Sequence, residues 1–128
     1  MNNFPKAEKL CGQLRITALY KDGKRFTAFP LRVTYQRLDA SSQPPQVLIW
    51  APKSLFKHAI DRNHLRRLMR EAYRLNAQPL RDYCDAHHCS FLIALNYMDR
   101  NILTYSRIAH AVRNAVKKII TASNPSDQ

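Results

Sequence analysis

The sequence predicts a small α+β sandwich, a few-stranded sheet with helices packed on it, and three patterns along the chain predict it. Residues 29–38 alternate Leu31, Val33 and Tyr35 with Arg32, Thr34 and Gln36, the two-residue period of a strand with one buried face. Residues 47–50 and 91–97 are apolar runs too short for helices and suited to interior strands. Residues 62–76 and 104–120 instead repeat their apolar side chains at helical spacing. A chain of 128 residues with 45% hydrophobic content can bury one core. No internal repeat or linker divides it, so residues 1–120 read as a single domain and residues 121–128 as a polar tail.

In chain order, the second half of residues 5–21 is helical. Leu14, Thr17 and Ala18, or Ile16, Leu19 and Tyr20, recur at that period, and Asp22 followed by Gly23 supplies the stop. A turn leads to the strand at 29–38, whose second face is polar and basic. Residues 41–45, with Pro44 and Pro45, form a loop before the apolar strand that ends at Trp50. Asp61 is the candidate N-cap of the next helix, which ends near Asn76 with Pro79 just beyond. The segment containing Cys84, His87, His88 and Cys89 reads as a polar loop, and the strand at 91–97 follows it. The last helix turns Ile108, Val112, Ala115, Val116 and Ile119 inward and Arg113, Lys117 and Lys118 outward.

Charge narrows the function. Lys and Arg number 21 against 9 Asp and Glu, a formal charge of +12 and a pI near 10.1, which favours a polyanionic partner, nucleic acid first. No apolar run approaches the roughly 18 residues that a membrane span needs, and the first residues carry no apolar signal segment, so the expectation is a cytoplasmic protein with no membrane partner. Three cysteines, an odd number, make no disulfide framework. Cys84, His87, His88 and Cys89 are soft-metal ligand types close in sequence, but their spacing is not that of the common zinc motifs and no second ligand pair follows. Asp82, Asp85, His87 and His88 are the nearest approach to a protein-only nuclease centre, and they lack the clustered carboxylates that magnesium requires. The groups on offer bind; no catalytic residue and no protein metal site is assigned.

The helix after Asp61 is the strongest signal. Arg62, Arg66 and Arg70 follow at i, i+4 and i+8, with Asn63, Arg67 and Arg74 on adjoining rows, while Leu65, Leu68, Met69, Ala72 and Leu75 take the opposite arc. Arginine's planar fork meets phosphate oxygens bidentately, and Asn63 can donate and accept hydrogen bonds at RNA edges. A merely solvated face would balance its charges. Here five arginines meet only Asp61 and Glu71, so the helix repels itself until a polyanion arrives.

Residues 56–74, FKHAIDRNHLRRLMREAYR, closely resemble the signature of the protein component of bacterial ribonuclease P, an Arg-Asn-Arg element opening an arginine-rich helix. The flanks agree in order, from Phe4, Pro5 and Lys6 through a short helix ending at Gly23 to a last amphipathic helix ending near Ile119. The resemblance implies a ribosomal-protein-like α+β fold with a left-handed βαβ crossover. It implies a small protein partner of a catalytic RNA that removes the 5′ leader from precursor tRNA, with magnesium held through the RNA. Carried over by position, Arg62, Asn63, His64, Arg66, Arg67, Arg70 and Arg74, with Lys53 and Lys57 ahead of the helix, face the RNA subunit. Ile16, Tyr20, Arg32 and Thr34 line the cleft for the single-stranded leader. Two positions depart from the family's pattern. His64 stands where the motif usually has its second arginine, so a fixed charge becomes conditional on pH. Ile16 stands where an aromatic is common and offers no π-face for stacking. A general RNA-binding or ribosome-associated protein is the alternative, because the same small folds and basic helices recur there.

Overall fold

The computed structural model describes residues 13–39 and 44–123, with side chains from residue 16 onward. In order these form α1 (Gln13–Asp22), β1 (Lys24–Ala28), β2 (Leu31–Asp39), β3 (Gln46–Trp50), α2 (Ala59–Asn76), α3 (Gln78–His87), β4 (Cys89–Tyr97) and α4 (Tyr105–Ser123). The strands make one sheet in the order β1-β2-β4-β3. β2 is antiparallel to β1 and to β4, whereas β3 and β4 run parallel. Parallel neighbours need a crossover, and α2 with α3 supplies it. The result is the α+β sandwich that the sequence predicts.

Strand alternation gives the sheet two unlike faces. Leu31, Val33 and Tyr35 of β2, Phe91, Ile93, Leu95 and Tyr97 of β4, and Val47 of β3 are buried in the main core. There they meet Leu65, Met69, Ala72 and Tyr73 of α2, Leu80 of α3, and Ile108, Val112, Ala115 and Ile119 of α4. The opposite face has a much smaller cluster, Leu19 of α1 on Leu92 and Ala94, with Ile16, Tyr20, Leu38 and Leu48 at its margin. α1 ends because Gly23 tucks beneath it. The Gly23 N–H donates to the Leu19 carbonyl at 2.8 Å, and a Cβ there would lie 2.5 Å from that same oxygen.

Several sequence expectations need correction. The turn after Gly23 is a strand: β1 is an exposed edge whose only inward groups are Phe26 and Ala28, too short an alternation to read. The apolar run at 47–50 is no interior strand. β3 is the other edge, and residues 47–49 are apolar because Val47 and Ile49 pack on the main core while Leu48 joins the α1 cluster. Trp50 at its end is 50% exposed. α2 starts at Ala59 behind His58, so Asp61 sits in its first turn rather than at the cap. Within the apolar arc, Leu75 is exposed and Tyr73 is buried in its stead.

The largest correction is α3, where a polar loop was expected. Pro79 suggested a stop, yet it occupies the first turn of a new helix, where a missing N–H costs nothing. Leu80, Tyr83 and Cys84 point inward at i, i+3 and i+4. His88, at φ 52°, closes the helix, and β4 begins at Cys89. The Tyr83 hydroxyl donates to the Ser123 carbonyl at 2.8 Å, and Arg37 Nη1 donates to the same oxygen at 2.8 Å. α3, β2 and the end of α4 are thereby tied at one point.

Candidate nucleic-acid interface

The packing of α2 decides how its arginines stand. Leu65, Met69, Ala72 and Tyr73 hold one side in the core, which forces the other side to solvent. The arginines on that side are not equivalent. Arg62 Nη1 donates to the carbonyls of Phe56 and Lys57 at 2.8 and 2.9 Å, fastening the segment between β3 and α2 to the start of the helix. Arg66 donates to Asn63 Oδ1, so these two motif side chains form one unit. Arg74 is paired with Glu71, whose carboxyl is held below its ordinary range chiefly by the hydrogen bond from Arg74. Arg67 and His64 are exposed, as are Lys53 and Lys57 ahead of the helix.

Arg70 is the most strained electrostatically. Partial burial, then the charges of Arg66 and Arg67, push its pKa down from the ordinary value. A phosphate oxygen beside Arg70 would offset that repulsion.

On the α1 side of the sheet the register brings four side chains into one row. Thr27 pairs with Arg32, Arg32 with Asn96, and Asn96 with Trp50, so the row crosses all four strands. Tyr20 rises beside it from α1 and donates its hydroxyl to Asn96 Oδ1 at 3.0 Å. Arg32 and Trp50 are exposed, and Tyr20 and Ile16 are half-buried. The Arg25 guanidinium donates to the Tyr20 carbonyl and fixes the end of α1 to β1. The next row, Leu48, Ala94 and Thr34, lies at the α1 cluster. Thr34 is only 1% exposed and cannot meet a ligand; its expected place in the cleft lining is corrected to a place under α1, next to Gly23.

Sequence reasoning missed Trp50 and Asn96. The signal was present for the first, since two-residue alternation puts Trp50 on the face of Leu48, away from the main core. The sequence carried no signal for the second, because the pairing of β2 with β4 and of β4 with β3 comes from long-range topology. The cysteine and histidine cluster does not converge: Cys84 and Cys89 are buried, whereas His87 and His88 are exposed. Among the described residues no group of three or more His, Cys, Asp or Glu is placed to hold a metal ion.

A family profile described as Ribonuclease P matches residues 4–120, nearly the whole chain. The chain belongs to the ribonuclease P protein family. A ribonuclease P protein component of Porphyromonas gingivalis is 30% identical over 116 residues, covering 89% of this chain and 84% of the relative. That of Chlorobium phaeobacteroides is 40% identical over 89 residues, covering 66% and 61%. Among solved structures, the ribonuclease P protein of Thermotoga maritima superposes with a TM-score of 0.67 at 17% identity, covering 87% of this chain and 96% of that one. A Staphylococcus aureus ribonuclease P protein mutant superposes at 0.68 and 17% identity, covering 89% of each. Membership makes this chain a protein subunit of the RNA-based ribonuclease P, with the RNA subunit as its partner. This chain thus presents two distinct polar surfaces, the arginine side of α2 and the row beside α1.

Proposed function

We propose that this chain assists removal of the 5′ leader from precursor tRNA by docking α2 on the catalytic RNA and holding the single-stranded leader along the row beside α1, in the cytoplasm. The observation that carries the reading is that row. Trp50 offers a face for a base, Arg32 a charge for a phosphate, Asn96 an amide edge fixed by Tyr20, and Thr27 a hydroxyl. Such groups suit a flexible single strand and none of them is a nucleophile or general base. Exposed Trp50 supplies the aromatic surface that Ile16 does not, on the same side of the sheet.

Magnesium in this reading is held by the RNA subunit. Two of the described carboxylates are already engaged by cations, Glu71 by Arg74 and Asp39 by Arg37 at 2.9 Å. The protein's share of the work is to bind and orient. Lys53, Lys57, Arg62, Asn63, His64, Arg66, Arg67, Arg70 and Arg74 face the RNA subunit, and Ile16 borders the leader site. Arg62 acts there first through the segment it fastens.

The test is cleavage by enzyme reconstituted with a bacterial catalytic RNA, using precursor tRNA with a full leader or with a leader of one nucleotide. Trp50→Ala and Arg32→Ala should each weaken binding of the full-leader substrate by about 1–3 kcal/mol, the usual worth of a stacked base or a charged contact. Binding of the short-leader substrate should not change. Equal losses on both substrates would remove the row as the leader site. Protein freed of RNA should not cleave either substrate.

A further inference from the structure

α4 carries a second basic surface that neither the α2 docking face nor the leader row uses. His110, Arg113, Asn114, Lys117 and Thr121 follow at i, i+3, i+4, i+7 and i+11, a single ridge along its outer side. A depression lies on each flank of this ridge. The larger, about 600 Å³, has an apolar floor at Val116 and Ile120 and a wall formed by Leu75 and Pro79, where α2 meets α3. The smaller, about 390 Å³, runs from the ridge to Phe29 at the β1–β2 turn. Asn114, Lys117 and Thr121 border both, so the two depressions form a double trough with this ridge as its shared middle wall.

Three properties separate this trough from an ordinary solvated helix face. Its rims are apolar and open: Leu75 is 55% exposed and Phe29 is 57% exposed. Among the described residues no carboxylate lines either depression, and α4 contains no Asp or Glu. Its cations are also partly ordered. Arg113 Nη1 donates to Asn76 Oδ1 at 3.3 Å, and Asn76 is itself held by donating Nδ2 to the Ala72 carbonyl at 2.8 Å. Lys118 sits over the Phe26 ring at 5.0 Å from its centroid. Apolar depressions of this size flanked by uncompensated cations match a nucleotide, whose base is a flat apolar body and whose phosphate is an anion.

We propose that the α4 trough is a second RNA-contacting surface, which takes an unpaired nucleotide of the RNA subunit with its base between Leu75 and Ile120 and its phosphate between Arg113 and Lys117. The inference rests on the α2 docking reading, because Leu75 and Asn76 belong to the last turn of the docking helix and make the trough an extension of that interface around the helix end. A protein partner is the poorer fit, since an acidic peptide would satisfy the cations and leave the depression without a flat occupant.

The test uses full-length protein and the catalytic RNA at several salt concentrations. Combined Arg113→Glu and Lys117→Glu, at exposed positions, should weaken RNA-subunit binding by about tenfold or more and flatten the log-log salt dependence by about one unit per lost phosphate contact. Leu75→Ser should weaken binding severalfold without altering that slope. A photo-crosslinking amino acid at position 75 should label a discrete unpaired site of the RNA subunit. Arg70→Ala is the reference for the α2 face. If Arg70→Ala weakens binding while every trough variant binds as wild type, the trough is not a contact and the docking face stands. If neither matters, the docking reading fails as well. Trough variants that bind the RNA subunit normally but raise KM for precursor tRNA would assign the surface to substrate and overturn the proposal.

Discussion

Arginines that share a helix face divide their labour according to what each already touches. Arg62 spends two hydrogen bonds on the carbonyls of Phe56 and Lys57, so Arg62→Ala should cost about 1 kcal/mol of folding stability and loosen the segment ahead of α2. Arg70 has the opposite profile, since burial and the charges of Arg66 and Arg67 already disfavour its cation. Arg70→Ala should leave the denaturant midpoint unchanged or slightly raised, while RNA-subunit binding falls and its salt slope flattens by about one unit. Urea melts and salt-dependent binding separate the two. A matching stability loss in both variants would contradict the assignment.

His64 and Cys84 give pH-dependent signatures of different kinds. His64 stands exposed among these arginines, and an imidazole next to phosphate binds a proton more readily. The charge it then adds is present at acidic pH and lost as pH rises. His64→Arg should therefore tighten RNA binding most near pH 8.5 and least near pH 5.5, on either side of the histidine range at about 6.5. Identical pH profiles would mean that His64 points away from the RNA. Cys84 is shifted by burial first and then by Cys89, which push its thiol up to about 12. Because the folded-state value is raised, the neutral thiol's contribution is whole below the ordinary thiol pKa of about 8.5 and is lost as pH climbs toward 12. Iodoacetamide at pH 8 should leave Cys84 unmodified in the native protein and alkylate it in urea, as mass spectrometry would show.

At the scale of elements, α2, α4 and β2 were legible because each repeats its buried positions over at least two periods, and β4 because its unbroken apolar run has the length of an interior strand. Leu65, Met69 and Ala72 in α2, and Ile108, Val112 and Ala115 in α4, are spaced as the sequence predicts. β1 and α3 were not, and the reasons differ. β1 has only Phe26 and Ala28 facing inward, less than a period of alternation can establish. α3 hides behind Pro79, a residue that marks a stop in one position and a start in another. Its importance comes from tertiary contact, since the Tyr83 hydroxyl and Arg37 hold the Ser123 carbonyl together. Tyr83→Phe removes one of those bonds and should lower stability by about 1 kcal/mol. The end of α4 should then exchange amide hydrogens faster than its middle does. Unchanged protection there would show that Arg37 alone suffices.

Across the whole molecule, the sheet acts as a partition. Its Leu31, Val33, Leu95 and Tyr97 face carries α2, α3 and α4, while on the face with Arg32 and Asn96 α1 is the one helix among the described residues. The candidate site was half legible for that reason. An arginine row on one helix can be read from a single stretch of sequence, whereas the row of Thr27, Arg32, Asn96 and Trp50 exists only once four strands are in register. The partition also predicts how the two surfaces combine. Arg32 and Arg70 share no partner and lie on elements separated by the main core. Effects of Arg32→Ala and Arg70→Ala on assembly and substrate binding by the reconstituted enzyme should therefore add to within about 0.5 kcal/mol in the double variant. Arg32→Ala paired with Trp50→Ala, by contrast, should fall short of additivity, because both flank Asn96 and grip the same strand of leader. Additivity in the second pair with coupling in the first would mean that the leader crosses from the row onto α2, and that the sheet does not separate the two tasks.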